Sequence, residues 1–144
     1  MKIESNAFRL IEPGVFKKDT LTHDFEEKDI IVKPTKASVC HADLRYYTGN
    51  RRPEALAKKL PMALFHEGIG IVEDSKHPDF QQGDKVVIVP NIPSHLRKGT
   101  YPTTSFQDNY DENAVFMGSG FDGICQDRMV VSGDNVVKVP TDLD

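Results

Sequence analysis

Tryptophan is absent from this chain of 144 residues, and cysteine occurs only twice, as Cys40 and Cys125. Two cysteines are too few for the disulfide scaffold of a small secreted domain, although a single Cys40–Cys125 bridge stays open. Long apolar runs are also missing. Stretches such as VVIV at 86–89 fall far short of the roughly 20 residues that cross a bilayer. The opening residues, MKIESNAFRL, lack the apolar centre of a secretory signal. Together these absences read as a cytoplasmic protein with no membrane partner. No excess of positive charge is present. Lys and Arg number 18 against 22 Asp and Glu, for a formal net charge of −4. That balance argues against nucleic acid as a partner but leaves room for a local basic pocket that takes a small anion. No Gly-rich strand–turn–helix unit occurs, so the chain has no dinucleotide fingerprint.

What remains is the composition of one folded domain, with 38% hydrophobic residues. DIIVKPTKASV (29–39) is rich in β-branched residues and reads as a strand, with Pro34 at an edge or bulge because it cannot donate to a ladder. CHADLRYYTG (40–49) suits a short helical turn ending at Gly49. RPEALAKKLP (52–61) predicts a helix with Pro53 in its first turn, Leu56 and Leu60 on one face, and Pro61 discouraging continuation. GDKVVIVP (83–90) is a turn and a strand, and 91–120 is a long polar stretch of the kind that carries function. DGICQDRMVV (122–131) and NVVKVP (135–140) read as further strands. Short strands punctuated by Gly and Pro, with a few short helices, predict a mainly β, barrel-like domain. The closing VKVPTDLD is acidic and linker-like, which fits one small domain or the front piece of a longer protein.

PMALFHEGIG (61–70) places an imidazole beside a carboxylate after an apolar run. Neighbours on a regular strand point to opposite faces, so His66 and Glu67 share a site only if the backbone is irregular. Gly68 and Gly70 are the expected source of that irregularity. Zinc favours thiolate and imidazole ligands and, in catalytic sites, keeps one position open. On spacing alone, a buried thiol and a hydrogen-bonded core histidine explain Cys40 and His66 at least as well.

In order, VCHADLRYYTGN, LPMALFHEGIGIVE, GDKVVIVP, GFDGICQDRMVV and VVKVP resemble the N-terminal catalytic domain of the zinc-dependent medium-chain dehydrogenases, a GroES-like, partly open β-barrel. The likeness spans essentially the whole of 1–144. CHADLRYYTGNR, KKLPMALFHEG and VVIVPNIP are most similar to the ribulose-5-phosphate reductases of teichoic-acid and capsule biosynthesis. The resemblance implies one catalytic Zn2+ held by Cys40, His66 and Glu67, with Asp43 as a carboxylate behind them. It implies a further Glu ligand and a Rossmann domain for NADP or NAD beyond residue 144. It also implies a small sugar-phosphate or polyol substrate, a homo-oligomer at full length, and a complex with a cytidylyltransferase. Arg45 and Arg51, with Tyr46, are the expected substrate contacts, and Arg45 is favoured for the phosphate.

The chain departs from the family at several positions. Phe65 stands where many members carry Gly. Ala42 replaces the Ser or Thr that relays a proton, leaving His41 and Thr48 as substitutes. The four cysteines of a structural zinc are missing from 91–120, so no structural zinc is expected. Cys125 is expected to be a small core residue. GSGFDG (118–123) fits an anion-binding nest or, better, a tight turn. Two other readings stay open, a dehydrogenase of another polyol such as sorbitol and a non-catalytic GroES-like binding module.

Overall fold

A computed structural model describes residues 1–92 and 115–143. The long hairpin of β1 (Lys2–Glu12) and β2 (Val15–Asp24) opens the chain, turning at Pro13-Gly14 with Gly14 at φ 79°. Then come β3 (Asp29–Ser38), helix α1 (His41–Tyr47), helix α2 (Pro53–Lys59), and β4 (Met62–Ala63). They are followed by β5 (Glu67–Ser75), β6 (Lys85–Ile88), β7 (Asn91–Ile92), β8 (Val115–Phe116), β9 (Met129–Ser132), a turn of 3-10 helix (Gly133–Asn135) and β10 (Val136–Lys138). Among the described residues the strands form three antiparallel sheets, ordered β2-β1-β4, β10-β6-β5-β3-β9 and β7-β8.

The main core lies under the five-stranded sheet, where Ile30, Val32, Val72, Val86 and Ile88 are each at most 2% exposed. β3 is buried over Asp29–Val32, the stretch that also pairs with β9, and largely exposed beyond it. The register against β5 slips between Pro34 and Lys36. Pro34 thus sits beside a bulge, past the end of β9, where its missing N–H leaves no ladder bond unmade. A second cluster of Leu10, Tyr46, Met62 and Leu64 joins the helices to β1 and β4, and Leu56 and Leu60 pack on it as their spacing predicts. The two helices fall where the sequence places them, with Arg52 as N-cap of α2 and Pro53 in its first turn.

Two expectations need correction, and one element went unpredicted. The β1–β2 hairpin gave no clear signal because its inward positions include Ser5 and Ala7, and β2 is exposed along most of its length. The strand expected over 122–131 is confined to β9. Residues 122–125 instead cross the segment after β4, with Gly123, Ile124 and Cys125 donating their N–H groups to Ala63, Phe65 and Leu64. Cys125 is half-buried in this irregular segment, and neither cysteine is in a disulfide. Residues 93–114, the interior of the long polar stretch, lie outside the described residues, and so do the functional role expected of that stretch and the expectation that it holds no structural zinc.

Candidate metal centre

Strand pairing brings the cluster together. β3 and β5 run antiparallel with Ser38 opposite Glu67. Cys40 comes two residues after Ser38, and His66 one residue before Glu67, so both lie at the same end of the pair. The thiol, imidazole and carboxylate ligand atoms all fall within 4.8 Å of one another. Cys40 Sγ is 3.5 Å from His66 Nε2 and 3.9 Å from Nδ1. Glu67 Oε1 is 3.7 Å from His66 Nε2. Ligands about 2.0–2.3 Å from a tetrahedral zinc stand about 3.3–3.8 Å apart, so the Sγ–Nε2 and Nε2–Oε1 spacings fit such an ion. Among the described residues this is the only such grouping.

Asp43 closes the arrangement from behind. It is 2% exposed, accepts a hydrogen bond from Cys40 N at 2.9 Å and another from Phe65 N at 3.3 Å, and so ties both ligand-bearing segments to one carboxylate. The bond to Cys40 N also caps α1, since Asp43 is its third residue. Its Oδ1 lies 3.9 Å from His66 Nδ1, beyond hydrogen-bond range, whereas the Glu67 carboxylate approaches Nε2. This polarity leaves Nε2 for a metal and Nδ1 for the carboxylate.

The irregular backbone resides in Phe65 rather than in the two glycines. Phe65 adopts φ 75°, a left-handed conformation uncommon for a bulky side chain, whereas Gly68 and Gly70 have no positive φ. Those glycines serve close approach instead. A Cβ on Gly70 would lie 2.5 Å from Val32 Cγ1 and 2.7 Å from Lys33 O, and one on Gly68 would lie 2.8 Å from Lys36 O. They let β5 press against the bulged part of β3, while Phe65 turns the chain so that His66 and Glu67 face one place.

Two neighbours of the cluster escaped the sequence reading. Ser38 donates to Glu67 Oε2, a contact implied by their cross-strand pairing but invisible without the register. Phe116 on β8 packs its ring 5.1 Å from that of His66. Other expected site residues lie elsewhere. Arg45 is exposed and its Nε donates to Asn50 O at 3.4 Å, within its own loop. Tyr46, the expected sugar contact, is only 1% exposed and belongs to the second core cluster. Arg51 stacks on the Tyr46 ring at 3.9 Å. Of the two relay candidates, Thr48 donates to Leu44 O at 2.8 Å and His41 is exposed. No nest forms at GSGFDG, because the N–H groups of Gly118, Ser119 and Gly120 go to Phe121 O, Phe116 O and Met62 Sδ.

Residues 26–141 match the alcohol dehydrogenase GroES-like domain. The chain belongs to that family. This GroES-like domain is 39% identical over 141 residues to ribulose-5-phosphate reductase 2 of Staphylococcus aureus, covering 97% of the chain and 39% of that protein. It is likewise 39% identical over 142 residues to the ribulose-5-phosphate reductase of Bacillus spizizenii, covering 96% and 39%. The domain thus spans about two fifths of the length of these relatives. Among solved structures, S. aureus TarJ in complex with NADPH superposes with a TM-score of 0.68 at 30% identity, over 99% of this chain and 35% of that one. L-idonate 5-dehydrogenase from Escherichia coli shares the fold with a TM-score of 0.80 at 23% identity, over 100% of this chain and 42% of that one. Among the described residues no helix is long and apolar enough to cross a membrane.

Proposed function

We propose that this GroES-like domain is the zinc-binding catalytic part of an oxidoreductase that reduces ribulose 5-phosphate to ribitol 5-phosphate with a nicotinamide cofactor. One observation carries the reading. A chain 39% identical to ribulose-5-phosphate reductases brings Cys40, His66 and Glu67 within 4.8 Å of one another. The donor set fits one zinc, with Cys40 Sγ, His66 Nε2 and a Glu67 oxygen as its ligands. When bound there, zinc supplies Lewis-acid polarisation of a substrate carbonyl. The cofactor supplies the hydride.

The chain's own residues orient and hold protons. Asp43 fixes Cys40 and the backbone before His66. Ser38 keeps its hydroxyl proton against Glu67 Oε2, and the Glu67 side chain, 56% exposed, is free to lie against the cluster or swing from it. Ala42 has no proton to relay, and among the described residues Ser38 places a hydroxyl against a member of the cluster. Of the cations and the tyrosine expected at the substrate, Arg51 is retained. The remaining ligand, the Rossmann domain that holds NADP or NAD, the oligomer and a cytidylyltransferase partner belong to a protein of the relatives' full length.

The test is turnover by the full-length enzyme with ribulose 5-phosphate, ribulose and sorbitol as substrates. Strong preference for the phosphate is expected. Equal rates with sorbitol would replace this reading with that of a general polyol dehydrogenase, and no turnover of any of the three would favour a binding module.

A further inference from the structure

The last turn of α2 and the turn after β8 hold a cluster of charge that the metal centre does not use. Lys59 Nζ donates to Tyr46 Oη at 3.0 Å and to Ser119 Oγ at 2.9 Å. Tyr46 Oη and Ser119 Oγ are themselves 2.8 Å apart, which closes a triangle. Lys59 Nζ is 5.7 Å from the Tyr46 ring centre, so it approaches the ring from its hydroxyl end. Arg51 lies on the face of the same ring at 3.9 Å. Two cations therefore address one aromatic side chain, and among the described residues neither meets a carboxylate.

Their donors are under-used. Arg51 Nε is buried and, among the described residues, has no hydrogen-bond partner. Lys59 has two bonds to neutral hydroxyls and a third N–H to give. The lysine stem is held down by the turn, since a Cβ on Gly120 would meet Lys59 Cγ at 3.2 Å. Half-buried cations with only neutral partners are unfavourable unless an anion completes them. The ring offsets part of this for Arg51. A phosphate group carries close to two negative charges at neutral pH and has three acceptor oxygens, matching two cations and a hydroxyl.

The location is consistent with one substrate serving both places. Cys40 caps α1, which carries Tyr46, and a Cβ on Gly118 would lie 3.1 Å from the Phe65 backbone, just before His66. We infer that Lys59, Ser119 and Arg51 form the phosphate-recognition site of this domain, and that Arg45 does not. The inference rests on the sugar-phosphate reading for the identity of the phosphate's carrier, but not for the binding of the anion itself.

The experiment is a 1H–15N NMR titration of the 144-residue chain with inorganic phosphate, with acetate at matched ionic strength as control. Saturable shifts of the Arg51 Nε–H and Ser119 amide signals are expected with phosphate alone. Lys59→Met and Arg51→Met should each weaken binding by about tenfold or more, with Arg45→Met unchanged. Should Lys59→Met fail to fold, Ser119→Ala decides, with an expected loss of several-fold. Non-saturating shifts, equal shifts with acetate, or unchanged affinity in these variants would overturn the inference. A parallel titration with ribitol 5-phosphate and ribitol tests the carrier, and tighter binding of the former than of free phosphate is expected. Binding of free phosphate as tight as that of ribitol 5-phosphate would overturn a shared substrate site. Cobalt binding at Cys40, followed in the same samples, separates the two readings. Loss of the phosphate response with cobalt binding intact overturns this inference alone. The reverse overturns the metal-site reading alone.

Discussion

Replacing Asp43 with Ala tests whether one carboxylate organises the metal centre. Asp43 is 2% exposed and accepts from Cys40 N at 2.9 Å and from Phe65 N at 3.3 Å. Both bonds disappear in Asp43→Ala, leaving two backbone donors with no side-chain acceptor. An unsatisfied buried donor costs about 1–3 kcal/mol, and the longer of the two bonds belongs near the lower end. Loss of the α1 cap falls within the same two bonds and is not added again. The expected destabilisation is therefore about 2–4 kcal/mol by urea denaturation, with an unchanged slope. The same substitution removes the carboxylate behind His66 Nδ1, and zinc affinity measured by chelator competition should fall about 10–100-fold. Asp43→Asn keeps one acceptor and should cost less on both scales. A variant as stable as the wild type, with unchanged zinc affinity, would refute the argument that Asp43 ties the two ligand segments together.

Phe65→Gly should be more stable than Phe65→Ala by about 1 kcal/mol, because both lose the ring but only Ala keeps the left-handed penalty at φ 75°. The opposite order in thermal melts would remove the strain from that position. Gly70→Ala should lose about 1–3 kcal/mol through the contacts its Cβ would make with Val32 and Lys33, again by urea denaturation. In acid, the Gln81 N–H and then the Lys138 ammonium hold the Asp84 carboxyl below the usual carboxylate range. Its contribution to stability is present above the unfolded value, about 4, and is lost as pH falls through the folded one, so Asp84→Asn should flatten the acid limb of the stability–pH curve. Burial pushes the Cys125 thiol up, so iodoacetamide at neutral pH should label Cys125 slowly in the folded chain and quickly after unfolding.

The parts of this domain legible in sequence were those where local chemistry and packing agree. Pro53, with Leu56 and Leu60 on one face, marked α2, and the β-branched run DIIV marked the buried half of β3. The β1–β2 hairpin was not legible, since its pairing is made by backbone bonds while two of its inward residues, Ser5 and Ala7, are polar or small and β2 is largely exposed. Within the site, Cys40, His66, Glu67 and Asp43 were marked by family motifs, and their convergence depends on a strand register that no local pattern states. Glycine was given the wrong task. Gly68 and Gly70 suggested a bend, but the bend is at Phe65, whose φ cannot be read from its side chain. Arg45, Tyr46 and Arg51 shared one short segment and one expected role. A helix periodicity of 3.6 separates the first two, turning Tyr46 inward beside Asp43 and Arg45 outward, while Arg51 lies past the end of α1. Lys59 and Ser119 are 60 positions apart and meet only through the fold.

The most direct test of the metal centre is titration of the 144-residue chain with cobalt(II), whose bond to a thiolate gives a near-ultraviolet charge-transfer band. Wild type should develop that band together with the visible absorption of a tetrahedral site, at one ion per chain. Cys40→Ser should lose the charge-transfer band, and His66→Ala should weaken binding sharply. A band that persists unchanged in Cys40→Ser, or a wild type that gives none at saturating cobalt, would contradict the account.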